Sequence, residues 1–348
     1  MDHFQHAMSQ LLDGQTLDQS TSHGILTEML QGRLNDAQIG AILALLATHD
    51  ATAEELTGAA QAMRRQVRGV EYPLSDNAIL IDTCGTGGAP KTFNVSTAAA
   101  IILAGVQPPA GSGIERIQVA KHGNRSRTGR GSAEVLMALG VQVDASVETQ
   151  TRCLEEAGVC FCFAVNHHPA VKYAMPARKS LGVPTIFNAI GPLTNPAGAQ
   201  HQLIGVYKDE LVLPMAQTLL NLGTTRAMVV HSTDGLDELS TTAPTRVVHV
   251  CDGQLREELV DAATLGMERV TIEAVQASDV EHSAQILRSI VDNEPSAFAE
   301  MALLTVAGGL VVAGVADGFG EGIELGRATV ALGHARAALD ALVSISND

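Results

Sequence analysis

Three short segments carry residue types whose spacing suits the handling of a phosphorylated compound. The first is Asp82-Thr-Cys-Gly85-Thr86-Gly87-Gly88, where three glycines in four positions let backbone approach a ligand and turn N–H groups toward an anion. Asn94-Val95-Ser96-Thr97 follows and opens a helix, whose unpaired N–H groups and dipole favour the same charge. A tight turn and an ordinary cap would explain the glycines alone equally well; the order strand, Gly loop, helix favours phosphate. The second segment is Lys121-His122-Gly123-Asn124-Arg125, which runs into Ser126-Arg-Thr-Gly-Arg-Gly131-Ser132. Between Pro90 and Ser132, Lys91, Arg116, Lys121, Arg125, Arg127 and Arg130 stand against a single acid, Glu115, a local charge of 6 − 1 = +5. Gly and Ser interleaved with Arg and Lys is what a polyphosphate cradle needs, where a solvated basic loop is the plainer alternative. The third segment is Asp234-Gly-Leu-Asp237-Glu238. By itself it reads as an acidic turn; opposite a phosphate cradle, its adjacent carboxylates suit Mg²⁺, which binds hard oxygens and bridges substrate phosphates.

Two histidine features are weaker. No carboxylate legible in the sequence orients His122, so it reads as a positioning or wall residue rather than a general base. His167 and His168 are adjacent and point to different sides, so they make no metal pair.

These loops need strands to hold them. Ala78–Ile81 reads as a buried strand ahead of the Gly loop, with a helix from Ser96 to Ala104 behind it. The alternation continues with a strand at Val119, a helix from Ser132 to Leu139 stopped by Gly140, and a strand at Val141. A helix capped by Ser146 and stopped by Gly158 leads to a strand at Val159, in which Cys160 and Cys162 read as packing residues. Further strands are expected at Leu203–Val206, Met228–His231 and Arg246–Val250. Such alternation predicts an α/β fold with a largely parallel sheet, whose ligands gather at the carboxyl ends of the strands. Residues up to about 70 give helical signals only: Asn35 caps a face of Ile39, Ile42, Leu43 and Leu46, and Thr52-Ala-Glu-Glu55 is a capping box.

Composition narrows the classes. The 348 residues suffice for one large or two modest cores. The net charge of −16 argues against a nucleic-acid binder, which needs a broad positive field; outside the basic stretch the charge is −16 − 5 = −21. The start, Met1-Asp2-His3-Phe4, lacks a signal peptide's basic and apolar regions. The most apolar stretch, Ala302–Ala316, is short of the roughly 20 residues of a membrane span, so it reads as a buried helix. Five cysteines without a C-x-x-C pair fit a reducing cytoplasm. The expectation is a cytoplasmic enzyme with small-molecule substrates, no nucleic acid and no membrane.

Taken together and in order, Gly85-Thr-Gly-Gly88, Asn94-Val-Ser-Thr97, Lys121-His-Gly-Asn-Arg125, His168-Pro-Ala-Val-Lys172, Thr185-Ile-Phe-Asn188, Gly191-Pro-Leu-Thr-Asn-Pro196 and Asp237-Glu238 resemble the anthranilate phosphoribosyltransferases over essentially the whole chain. The resemblance implies a small N-terminal all-helical domain, residues 1–72 joined in space by roughly 168–195. It implies a large α/β domain, 73–167 and 196–348, with a mostly parallel central sheet of the nucleoside phosphorylase/phosphoribosyltransferase type, and a homodimer formed through the helical domain. The implied reaction moves the 5-phosphoribosyl group of phosphoribosyl pyrophosphate (PRPP) to the amine of anthranilate, in the biosynthesis of tryptophan, with Mg²⁺ as cofactor. Carried over residue by residue, Gly85, Gly88, Ala89, Thr92, Asn94, Val95, Ser96, Thr97, Lys121, His122, Gly123, Asn124, Arg125 and Ser132 are PRPP positions. Gly85, Asn124 and Arg178 are anthranilate positions, and Ser96, Asp237 and Glu238 are metal ligands. No catalytic acid or base is assigned; Lys121 and Asn124 position the transition state.

The sequence departs from that pattern in four ways. Ala89 stands where the family has Asp, the loop to Thr92 is short, the segment Val106–Gln118 is long, and the loop Ser126–Gly131 is short and lacks the family's Ser-Ser-Lys-Ser character. All four are expected around the PRPP cradle. The competing readings are a PRPP-dependent transferase for another arylamine, a pyrimidine nucleoside phosphorylase-like enzyme, and a non-enzymatic relative that binds nucleic acid.

Overall fold

Capping chemistry starts the helical layer as expected. In the computed structural model, which describes residues 3–126 and 129–348, the chain begins with α1 (His3–Leu12), α2 (Gln19–Leu30), α3 (Asp36–Leu46) and α4 (Ala53–Arg64). Asn35 with Gln38 and Thr52 with Glu55 form reciprocal capping boxes, which satisfy N–H groups that a helix start leaves bare. Glu55 does more than cap. Its fully buried carboxylate accepts from Leu17 N at 3.0 Å, from Thr52 N at 2.9 Å and bonds His49 Nε2 at 2.9 Å, tying the loops before α2 and α4 together. The buried faces of α1–α4 share one apolar cluster with Ala174, Ala177, Ile186, Phe187, Ile190 and Leu193, from far along the chain.

The sheet has seven strands: β1 (Ala78–Gly85), β2 (Arg116–Gly123), β3 (Val159–Phe163), β4 (His201–Gly205), β5 (Arg226–Ser232), β6 (Thr245–Cys251) and β7 (Gln254–Val260). Their order is β3-β2-β1-β4-β5-β6-β7. The first five run parallel, and β6 and β7 add an antiparallel edge. From β1 the chain winds outward through α5 (Val95–Gly105) to β2 and on to β3, then returns to the other side of β1 as β4. The strand order therefore reverses between β1 and β4, and it is at such a reversal that sheets of this kind take their ligands, beyond the carboxyl ends of the strands. The apolar helix expected near Ala302–Ala316 spans Ala297–Ala313 and is buried in the main core. Among the described residues, no single helix is long and apolar enough to cross a membrane.

Three expectations need correction. No strand forms at Val141: the buried Val141 and Val143 sit in a loop outside the edge strand β3, and Gln142 N bonds Ser346 Oγ on the last helix instead of a ladder partner. β7 was not anticipated, because its mostly exposed Gln-Leu-Arg-Glu-Glu-Leu-Val lacks a strand's apolar face. The long segment Val106–Gln118 connects the end of α5 to the start of β2, with Glu115 N bonded to Asn77 O, at the amino ends of the strands. It lies at the opposite strand ends from the Gly loop, so it does not border the cleft.

Truncating Glu55 tests the helical layer. Glu55→Ala leaves Leu17 N and Thr52 N without their acceptor, and we expect a loss of about 3 kcal/mol in urea unfolding. A loss under about 0.5 kcal/mol would show that the Glu55 bonds are replaced by water at no cost.

Candidate active site

At the reversal point two glycines face each other, Gly85 at the end of β1 and Gly205 at the end of β4. The loop after β5 lies across them. A Cβ on Gly205 would overlap the Asp237 carbonyl, and one on Gly85 would come within 3.0 Å of Asp237 Oδ2. Bare backbone is thus what lets the acidic loop sit down on the strand ends. Thr86 pins the Gly loop to the same place, its N donating to Gly205 O at 2.9 Å and its Oγ1 accepting from Tyr207 N at 3.1 Å. Gly87 and Gly88 follow with φ of 64° and 105°, and Gly87 N–H bonds the Asp237 carboxylate.

The second loop is held from beneath. Lys121 near the end of β2 is buried, and its Nζ donates to Thr83 O at 2.7 Å and to Ser96 Oγ at 3.1 Å. Burial lowers its pKa, and the charges of Asp82 and Glu238 oppose that. Asp82, fully buried in β1, accepts from His122 N at 3.0 Å and from Asn195 Nδ2 at 2.8 Å. Burial raises the Asp82 carboxyl, while Lys121 and these bonds hold it down. Asn195 also donates to Ala120 O at 2.7 Å, so one amide joins β1, β2 and the Gly191–Pro196 segment.

Two imidazoles close the next wall. His122 Nε2 and His168 Nε2 are 3.2 Å apart, so one donates and the other accepts. Burial pushes His122 well below 6.5 and His168 down to about 4, and neighbouring imidazoles add to both shifts. His168 Nδ1 is buried without a partner among the described residues. His167 turns away, bonding Arg68 O at 2.7 Å and Gln150 Oε1 at 3.0 Å, which agrees with the absence of a His167–His168 metal pair.

The acidic loop carries a charge without a counter-ion. Asp237 and Glu238 are half-buried and enter no ion pair among the described residues. Burial raises both carboxyls; repulsion from Asp237 helps to push Glu238 well above the usual range, and Lys121 and Lys91 are the cations that act on them. Two adjacent carboxylates in that condition, with the Ser96 hydroxyl across Lys121, form a hard-oxygen set that fits Mg²⁺. Among the described residues no three His, Cys, Asp or Glu side chains cluster around a metal position, so further ligands would come from hydroxyl, water and substrate oxygens.

Gly85, Gly88, Ala89, Thr92 and Asn94 lie between β1 and α5, and Val95, Ser96 and Thr97 form the first turn of α5. Lys121, His122 and Gly123 end β2, Asn124 and Arg125 follow it, and Ser132 starts α6 (Ser132–Ala138). Gly123 is packed so closely against Ser132 Oγ and the Phe161 ring that a Cβ would strike both. The Val95 and Thr97 N–H groups are taken, by Phe93 O and Asn94 O, so they are less available to an anion than the sequence implied. Arg178 stands on a separate helix, Met175–Leu181, over the Phe187 ring at 4.8 Å; no carboxylate pairs with it among the described residues, and burial lowers its pKa. Of the six basic residues, Arg116 begins β2 and bonds Glu155 O, at the far end of the sheet; Arg127 lies outside the described residues. Asn195, His168 as partner of His122, and Gly205 were missed as site residues. Asp82 alone had a legible signal, an acid inside an apolar strand.

The chain is similar to known proteins in both sequence and fold. Residues 77–336 match the α/β domain of a glycosyl transferase family, and residues 5–67 match its helical bundle domain. The anthranilate phosphoribosyltransferase of Methylobacterium nodulans is 40% identical over 349 residues, covering 100% of both chains. Anthranilate phosphoribosyltransferase 2 of Ralstonia nicotianae is 41% identical, over 97% of this chain and 95% of its own. The crystal structure of the Thermus thermophilus anthranilate phosphoribosyltransferase superposes with a TM-score of 0.89 at 33% identity, covering 100% of both chains. The Saccharomyces cerevisiae enzyme in complex with PRPP and Mg, at 24% identity and a TM-score of 0.87 over 99% and 98% of the chains, shares the fold.

The histidine wall predicts a pH dependence of stability. The fold accepts neutral His168, with a pKa of about 4 against 6.5 when unfolded. The unfolded state therefore binds the extra proton: stability is whole above pH 6.5 and is lost as pH falls toward 4, by about 1.4 kcal/mol per pH unit for each such group. His201, also near 4 through burial, contributes a second proton from the start of β4. His168→Gln should flatten the urea-unfolding profile between pH 6 and pH 4.5 by about one proton. An unchanged slope would mean that His168 is not neutral in the fold.

Proposed function

The chain belongs to the anthranilate phosphoribosyltransferase family, and from that membership we infer that it transfers the 5-phosphoribosyl group of PRPP to the amine of anthranilate, releasing pyrophosphate. The charge layout of the cleft carries the reading. A Gly loop and buried Lys121 line one side, and the half-buried Asp237–Glu238 pair, which enters no salt bridge among the described residues, lines the other. A ligand that is both polyanionic and metal-binding answers both.

We assign Gly85, Gly88, Ala89, Thr92, Asn94, Ser96, Thr97, Lys121 to Arg125 and Ser132 to PRPP, with Val95 contributing its backbone. Ser96, Asp237 and Glu238 are assigned to Mg²⁺, which when bound supplies positive charge to the departing pyrophosphate. Lys121 holds a proton-bearing ammonium between the Thr83 carbonyl and Ser96. Gly-loop N–H groups add fixed dipoles where charge collects on the leaving group. The ribosyl carbon becomes cation-like, as in glycoside cleavage. The buried carboxylate of Asp82 at β1 has its oxygens committed to His122 N and Asn195. Catalysis then rests on positioning two substrates and stabilising the leaving group. Arg178 and Asn124, with Gly85, are assigned to anthranilate: a guanidinium fork fits a planar carboxylate, and this one has no acid partner among the described residues. Residues 1–72 with roughly 168–195 are proposed as one domain, and 73–167 with 196–348 as the other. The apolar cluster that packs α1–α4 against Ala174–Leu193 joins the two segments of the first, and it continues onto Ile204, Met215 and Val229 of the second. A homodimer through the helical layer, at work in the cytoplasm, completes the proposal; Leu12, 67% exposed at the end of α1, is an apolar residue such an interface would cover.

Purified protein given PRPP, Mg²⁺ and anthranilate should consume the fluorescent acceptor; turnover only with a different arylamine would overturn the assignment. Asp237→Asn with Glu238→Gln should lower kcat/KM at least about 100-fold. Because burial and mutual repulsion oppose both charges, neutralising them should leave the thermal midpoint equal or higher. Unchanged activity at low Mg²⁺ would remove the metal role. Arg178→Ala should raise KM for anthranilate about 10- to 150-fold, the worth of one charged hydrogen bond, with KM for PRPP nearly constant. Equal damage to both substrates would make Arg178 a hinge residue instead.

A further inference from the structure

We propose that Ser283 is a positioning residue for the PRPP site, acting through the side chain of Asn94; the proposal rests on the assignment of that cleft to PRPP. Ser283 lies in the first turn of the helix Val280–Val291, is 1% exposed, and is 189 positions away from Asn94. Its Oγ donates to Asn94 Oδ1 at 2.8 Å and accepts from Asn94 N at 3.3 Å. One buried hydroxyl thus grips Asn94 by backbone and side chain together.

The grip diverts Asn94 from the role its position invites. An Asn preceding a helix ordinarily turns its oxygen onto the N–H groups of the first turn. Asn94 precedes α5 and makes no such bond, with φ −82° and ψ 69°. The hydroxyl has one proton, and its bond to Oδ1 uses it, which sets the two ends of the amide. With Oδ1 held, the half-exposed Asn94 has its NH₂ group without a protein partner among the described residues, two residues before the Ser96 that Lys121 grips. A donor prepared in this way suits a phosphate oxygen.

The neighbours of Ser283 strengthen the inference. Val275 O accepts from Phe93 N at 3.0 Å, and Ala277 O and Ser278 O accept from Arg130 Nη1 at 2.7 and 3.2 Å. Residues 275–283 therefore fasten the exit of the Gly loop and the loop before α6 with one strap, supplied by a part of the chain that carries no phosphate motif. Ser283 is the link in that strap that reaches a side chain assigned to PRPP.

The test is a double-substitution cycle read by steady-state kinetics and by calorimetric titration of PRPP with Mg²⁺. Ser283→Ala should raise both KM and Kd for PRPP about 5- to 10-fold, the worth of one hydrogen bond, with kcat within about twofold and KM for anthranilate unchanged. In an Asn94→Ala background the same substitution should add nothing, and Ser283→Thr, which keeps the hydroxyl, should recover affinity if its midpoint matches the wild type. Additive effects in the cycle, or equal losses for both substrates, would overturn the proposal. Wild-type protein that binds PRPP but does not use anthranilate would sink the functional reading while the calorimetric cycle still judges Ser283. Wild-type protein that does not bind PRPP would sink both.

Discussion

The close approach of backbone to backbone at Gly85 and Gly205 sets the geometry of everything above the sheet. These residues are register partners on the two strands where the order reverses, and Asp237 rests directly on them, its peptide against Gly205 and its carboxylate against Gly85. Lift that peptide by the radius of a methyl group and Asp237 moves off the Gly87 N–H, Glu238 moves off Lys121, and the acidic side of the cleft no longer faces the basic side. The parallel sheet supplies the crevice through topology. The missing Cβ atoms decide that a loop from β5 can close one wall of it.

A second layer of constraint is polar and buried, and it links the two apolar clusters. Arg64 Nε on α4 donates to Leu193 O at 2.7 Å, Arg68 N donates to His167 O at 2.8 Å, and Asn195 joins Asp82 to Ala120. Asp82 is the fully buried member, so it is the one that would be costly to leave unpaired. The Gly191–Pro196 segment is thus clamped from the helical layer on one side and from β1 and β2 on the other. His122, whose ring touches His168 and whose N–H rests on Asp82, is the residue where these restraints meet the cleft.

What could be read from the sequence follows the distance over which each signal acts. Capping boxes at Asn35 and Thr52, the Gly loop and the helix at Val95 are local patterns, and the structure reproduces them nearly residue for residue. Val141 misled because an apolar pair in a short segment says that it is buried without saying that a strand lies beside it. The long segment at Val106 was placed at the wrong end of the sheet, since counting inserted residues ignores the direction in which α5 has already carried the chain. Contacts between Asn195 and Asp82, His168 and His122, and Ser283 and Asn94 span 113, 46 and 189 positions, and no local pattern encodes such a pair. The family resemblance carried the residue types of the cleft, whereas their mutual bonds needed the fold.

A chain of net charge −16 can still hold a polyanion because field strength depends on distance and dielectric more than on the total. Exposed acids elsewhere are screened within roughly 10 Å at ordinary salt. Lys121 is not: it is buried, desolvated and fixed by Thr83 and Ser96, so its charge acts at short range and costs no reorganisation when a ligand arrives. The same burial would be ruinous for an unpaired cation, and Asp82 and Glu238 are the groups that keep Lys121 protonated. Glu238 is in turn pushed toward its neutral form by burial and by Asp237. The cleft is therefore held short of electrostatic balance by its own geometry, with positive charge on the β2 side and strained carboxylates on the β5 side. A cation seated at the carboxylates, together with a polyanion reaching Lys121, relieves both at once, and so each should bind more tightly in the presence of the other.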